Sequence, residues 1–118
     1  MKVLDLEQGT QQWFEARLGI PTSSMFATVM AKGRGGGESK TRRTYMLKLA
    51  GERLTEAPMD NYTNAHMERG HEMEPEARDM YSFMTDTEPQ LVGFVLSDDG
   101  TVGSSPDSLV GQDGMLEI

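Results

Sequence analysis

The 118-residue sequence contains no cysteine, which excludes disulfides and thiolate metal sites and fits a reducing compartment. It has no uninterrupted run of about 18 apolar residues, so no transmembrane helix and no membrane partner are expected. The opening MKVLDLEQGT carries acids and lacks a long apolar stretch, which argues against a signal peptide. Hydrophobic residues are scarce, at 36%, for a chain that must bury its own core. The ten Met residues supply adaptable packing rather than a rigid core. This balance suits a fragment whose sheet expects more chain to cover it. No internal repeat occurs. The glycine-rich GRGGGES at 33–39 lacks a terminal Gly-Lys-Ser/Thr, so it reads as a mobile loop and not as a phosphate-binding P-loop.

Basic residues are few as well, and the net charge of −8 argues at first against nucleic acid. The distribution changes that reading. Residues 17 to 53 hold eight Lys or Arg against two acids, a surplus of +6. Residues 54 to 118 hold two Arg against fourteen acids, a surplus of −12. A basic segment followed by an acidic one offers one surface to phosphates and another to cations. Accidental clustering on a solvated face is the plain alternative.

Local signals predict four helices followed by strands. Thr10 can cap a helix through Leu18, with Gly19 as its stop. Thr22 or Ser23 can cap a second helix to about Ala31, and a third runs from Thr41 to about Thr55. A fourth covers Tyr62 to Met84, with an apolar stripe of Met73, Ala77, Tyr81 and Met84. Pro75 opposes an unbroken helix, so a break near Gly70 and a restart near Glu74 fit equally well. Leu91 to Leu96 reads as a strand, Asp98-Asp99-Gly100 as a hairpin turn and Thr101 to Ser104 as a second strand. Gln112-Asp113-Gly114 is another turn, and a third strand begins at Met115. Helices followed by strands imply an α/β fold with helices packed on a sheet.

Two carboxylates draw attention within this frame. Asp107 sits at the end of a strand, and Glu117 lies in the next strand across a turn. Adjacent antiparallel strands bring such pairs within a few ångströms of each other. Hard cations such as Mg²⁺ take one or two carboxylates plus waters and phosphate. A turn role for Asp107 and a solvent-facing position for Glu117 are the alternatives. Glu74 is a third acid, placed to point along a helix–sheet boundary. Its alternative is a surface pair with Arg78 one turn on. Glu68, Glu72 and Glu76 fall on another face. Arg17 and the cluster Thr22-Ser23-Ser24 form a second group, suited to gripping an anion at a helix start. Simple capping by Thr22 or Ser23 accounts for the same residues. Trp13 reads as core, and His66 and His71 lack the i, i+4 spacing of helical metal ligands.

Four segments together resemble the phage lambda exonuclease family. These are the YqaJ-type viral recombinase exonucleases of the PD-(D/E)xK nuclease superfamily. The segments are Trp13-Phe14-Glu15-Ala16-Arg17-Leu18-Gly19-Ile20-Pro21-Thr22-Ser23-Ser24, Gly70-His71-Glu72-Met73-Glu74-Pro75-Glu76-Ala77-Arg78, Ser105-Pro106-Asp107-Ser108-Leu109 and Gly114-Met115-Leu116-Glu117-Ile118. The resemblance implies a restriction-endonuclease-like core, a mixed β-sheet flanked by helices, truncated after the third predicted strand. Residues 1–118 would be the N-terminal part of a single exonuclease domain.

The resemblance also implies roles. Asp107, Glu117 and Glu74 would be the catalytic acids, and all three with the Ile118 carbonyl would hold Mg²⁺, with Mn²⁺ as an alternative. Arg17, Ser24 and Thr22 would hold the 5′-phosphate, with Ser105 near the scissile phosphate. A Lys is expected two places after Glu117, and the sequence ends at Ile118. Two-metal hydrolysis of duplex DNA from the 5′ end follows, in phage-type recombination. The implied partners are double-stranded DNA ends, a single-strand annealing protein and two further copies in a trimer. The implied location is the cytoplasm of a bacterial host. A catalytically inactive remnant, or a DNA-end-binding module, is the competing expectation.

Overall fold

A computed structural model describes residues 1–59 and 65–118. Tyr62, the expected start of the fourth helix, lies outside the described residues. Their order is β1 (Lys2–Leu4), α1 (Gln11–Arg17), a 3₁₀ turn (Ser23–Met25), α2 (Phe26–Met30), a second 3₁₀ turn (Arg34–Gly36), α3 (Lys40–Thr55), α4 (Ala65–Thr85), β2 (Phe94–Leu96), β3 (Gly103–Ser104), β4 (Ser108–Val110) and β5 (Gly114–Leu116). The fold is mixed α/β, with small antiparallel sheets. The chain divides into two compact units, residues 1–59 with 93–105 and residues 60–92 with 106–118. No described helix is long and apolar enough to cross a membrane.

In the first unit, three strands pair in the order β1-β2-β3, all antiparallel. β1 was not foreseen, because three residues are too short for an alternating pattern to stand out. Phe94 is fully buried at the centre of this sheet. Gly103 on the neighbouring strand makes room for it, since a Cβ there would lie 2.2 Å from the ring. The turn between β2 and β3 forms as expected. Asp99 accepts from the Ser97 hydroxyl and from the Thr101 hydroxyl and N–H, and these bonds hold its carboxyl down at about 2.

The helices of this unit brace one short turn. Thr10 caps α1, accepting from the Trp13 N–H. The chain reverses at Gly19, whose φ of +65° favours glycine. α3 clamps that reversal from its far end. Arg53 Nε donates to the Gly19 carbonyl at 2.9 Å, and Glu52 accepts from the Gly19 N–H at 3.4 Å. The buried Tyr45 hydroxyl accepts from the Thr22 N–H at 3.3 Å. The expected second helix is shorter than its residues suggested. A 3₁₀ turn leads into the five residues of α2, and Thr22 makes no side-chain capping bond.

In the second unit, α4 runs unbroken through Gly70 and Pro75, so the restart near Glu74 does not occur. Pro75 is exposed, while Glu74, Ala77 and Arg78 on the neighbouring face are partly buried. An interior proline costs a helix roughly 3 kcal/mol, and across the turn that holds Pro75 the side chains of Glu74 and Arg78 pair at i, i+4. Asp86 ends the helix with φ of +51°. Beyond it, Gln90 and Leu109 exchange both backbone hydrogen bonds at 2.8 Å. β4 and β5 form a hairpin across Gly111 to Asp113, with Ser108 opposite Leu116. β4 is a strand that the sequence patterning did not reveal.

The Gly19 reversal yields a stability test. A Cβ at Gly19 meets both an unfavourable φ and Arg53 Cγ at 2.2 Å, whereas Gly35 has a similar φ with nothing within 4 Å. Gly19→Ala should cost about 1–3 kcal/mol and Gly35→Ala distinctly less. Thermal melts of the two variants should show that order, and equal shifts would contradict the clamp.

Candidate functional site

The first unit gathers Arg17, Thr22, Ser23, Ser24, Ser104 and Ser105. Arg17 is the last residue of α1, so its side chain leaves the helix towards the sheet. Its guanidinium lies 4.1 Å from the centroid of the Trp13 ring and 5.6 Å from that of Phe94, a stacked cation. Trp13 is itself anchored, with its Nε1 donating to the Gly93 carbonyl at 2.8 Å. Arg17 Nη1 donates to Ser105 Oγ at 2.5 Å. Burial lowers the Arg17 pKa, partly opposed by Tyr45 and Glu52. A guanidinium stacked on rings and stripped of water gains from meeting an anion.

The hydroxyl cluster lies beside a register contact. Thr22 and Gly103 form a parallel bridge, with the Gly103 N–H donating to the Pro21 carbonyl. Thr22 Oγ1 and Ser24 Oγ stand 3.2 Å apart, and Ser23 Oγ lies 2.7 Å from Ser104 Oγ. Thr22 is partly buried and Ser23 and Ser24 are exposed. Capping does not occupy these hydroxyls. Ser104 joins the cluster without having been singled out in the sequence. The bridge between Thr22 and Gly103 is long-range, and no local signal announces it.

The second unit holds the acids. Asp107 directly precedes β4 and Glu117 directly follows β5, so they fall on the next rung beyond Ser108 and Leu116. Asp107 thus stands at the start of its own strand and not at the end of the strand before it. Asp107 Oδ2 accepts from the Ile118 N–H at 2.6 Å. The Glu117 pKa is raised, first by loss of solvent, then by the charge of Asp107 and then by that of Glu74. Glu117 is therefore within electrostatic reach of both Asp107 and Glu74.

Glu74 projects from α4 and pairs with Arg78, while His71 Nδ1 lies 3.7 Å from its other oxygen. The pair expected at the surface is in fact largely buried, with side chains 20% and 13% exposed. Among the described residues, no group of three or more His, Cys, Asp or Glu is assembled to hold a metal ion. Glu74 is turned to Arg78, and one Asp107 oxygen is taken by the Ile118 amide. The donor chemistry nevertheless suits a hard divalent cation. It consists of oxygen donors, and the proton affinity of Glu117 is raised first by loss of solvent and then by its acidic neighbours.

Residues 12–118 match the YqaJ-like viral recombinase domain. No curated protein matches the chain. The fold is similar to two solved structures of an alkaline exonuclease, LHK-Exo from Laribacter hongkongensis, one of them in complex with dAMP. Each is 39% identical and covers 92% of this chain, with TM-scores of 0.78 and 0.77. The match spans 52% of the exonuclease chain, so this chain corresponds to about half of that protein's length. A match over nearly the whole sequence, joined to that structural likeness, places the chain in the family of YqaJ-like viral recombinase domains.

Proposed function

We propose that the chain is the N-terminal half of a divalent-cation-dependent 5′-to-3′ exonuclease on double-stranded DNA, acting in phage-type homologous recombination. The observation that carries this reading is the hairpin whose end rung, Ser108 opposite Leu116, is flanked by Asp107 and Glu117, with the charges of Asp107 and then Glu74 adding to the loss of solvent at Glu117. Asp107, Glu117, Glu74 and the Ile118 carbonyl would hold Mg²⁺, or Mn²⁺ in its place. A bound ion there supplies Lewis-acid polarisation of a phosphodiester and a lowered pKa for its water. The protein's own part is to fix oxygens that accept the cation. Glu74 must release one of its present contacts to do so.

In the first unit, Arg17 would grip the 5′-phosphate of the DNA end, with Thr22 and Ser24 donating hydroxyls and Ser105 orienting the guanidinium. The stacking of Arg17 on Trp13 fixes the plane of its donors before substrate arrives, which reduces the ordering cost of binding. The dAMP complex of LHK-Exo supports a site for a nucleoside monophosphate in this fold. The partners of this reading are duplex ends, a single-strand annealing protein and two further copies of the chain, in the cytoplasm of a bacterial host.

The activity test is direct. Asp107→Ala in the full-length protein should abolish Mg²⁺-dependent release of mononucleotides from 5′-phosphorylated duplex. Retention of the original rate would remove Asp107 from the site. Degradation of covalently closed circles would instead indicate an endonuclease, and end binding without hydrolysis a DNA-end-binding module.

Arg17→Ala should weaken digestion of 5′-phosphorylated ends far more than of 5′-hydroxyl ends, because the guanidinium is worth most against a dianion. Equal losses on both substrates would show that Arg17 serves only the fold.

A pH test follows from Glu117. Its pKa is raised in the folded state, so its stabilising contribution is present below the ordinary carboxylate range and is lost as pH rises through the folded value. A cation relieves the same repulsion. The gain in melting temperature on adding Mg²⁺ should be small near about pH 4 and full near about pH 7.5. An increment independent of pH would contradict cation binding at these acids.

A further inference from the structure

Arg78 has no part in the roles assigned above, yet its guanidinium is set deep against its neighbours. Its side chain is 13% exposed, and charged residues are seldom buried without a specific partner. Arg78 has two, in different directions. Nε donates to Ser108 Oγ at 2.8 Å, and Nη2 pairs with Glu74 Oε1. Ser108 is fully buried, and its hydroxyl donates onward to the Asp107 carbonyl at 2.6 Å. One planar fork thus links the acid on α4 to the residue pair at the mouth of the hairpin. Arg78 engages Glu74 Oε1, and Oε2 lies 3.7 Å from His71 Nδ1.

From this geometry we infer that Arg78 is a positioning residue, holding the Glu74 carboxylate and the Asp107 end of β4 in one register so that both can serve the same divalent cation. The inference rests on the cation site proposed above. It explains why the i, i+4 pair is largely withdrawn from solvent instead of lying open at the surface. It also explains why Ser108, a small polar residue, occupies a fully buried strand position. An Arg is required by the two separate donor directions. Lys presents a single ammonium on a flexible stem and cannot hold both partners in one plane.

Mn²⁺ affinity, measured by isothermal titration calorimetry on the full chain, separates this role from a structural one. Arg78→Lys should weaken Mn²⁺ binding by about 10- to 100-fold, the usual effect of losing a group that orients a metal ligand. Most of that loss should vanish in a Glu74→Ala background, because Arg78 acts largely through Glu74. A general loss of fold would instead multiply with the Glu74 loss in full, and that result would overturn the inference. So would an Arg78→Lys affinity within about twofold of wild type, a change of under half a kcal/mol.

Should Arg78→Lys fail to fold, Ser108→Ala removes one of the two partners. A several-fold loss of affinity is then expected, and wild-type affinity would overturn the assignment. Asp107→Ala keeps the two readings apart. If that variant binds Mn²⁺ like wild type, the cation site itself falls. If it loses Mn²⁺ while Arg78→Lys does not, only the role of Arg78 falls.

Discussion

Strand pairing in the β4–β5 hairpin ends at Ser108 opposite Leu116 and leaves Asp107 and Glu117 flanking that last rung, where loss of solvent and then the charge of Asp107 act on Glu117. Repulsion of this kind is costly unless a positive group answers it. The surrounding structure answers it only in part. Arg78 neutralises Glu74 on the helix side, and the Ile118 amide donates to Asp107. Glu117 is left with a raised proton affinity.

The first unit solves the opposite problem for one positive charge. Arg17 gives up solvent, which lowers its pKa, and receives two aromatic rings and the Ser105 hydroxyl in return. Rings and a hydroxyl orient the guanidinium, and Tyr45 and Glu52 partly oppose the effect of its burial. The Gly19 reversal is what allows this. It ends α1 immediately after Arg17 and is clamped by Glu52 and Arg53 of α3. Positive and negative sites thus belong to separate compact units, as the uneven charge along the sequence suggests.

Much of the local structure was legible in the sequence because its causes are local. Thr10 and Gly19 bound α1 through a cap and a left-handed stop, and Asp99 builds its turn from adjacent donors. What was not legible depends on distant partners. α4 runs through Pro75 although the residue opposes a helix, and β1 and β4 become strands only through pairing. Site residues followed the same division. Arg17, Thr22, Asp107 and Glu117 were candidates from motif and type. The burial of Arg78, its fork to Ser108 and the entry of Ser104 into the hydroxyl cluster are products of tertiary packing.

The central claim is that Asp107, Glu117 and Glu74 share one divalent cation, and titration of the Glu117 carboxyl by carbon-detected NMR, with and without Mg²⁺, tests it most directly. Without the ion, Glu117 should titrate above its ordinary range. With saturating Mg²⁺ its midpoint should fall well below that value. An unchanged midpoint in the presence of Mg²⁺ would contradict the account.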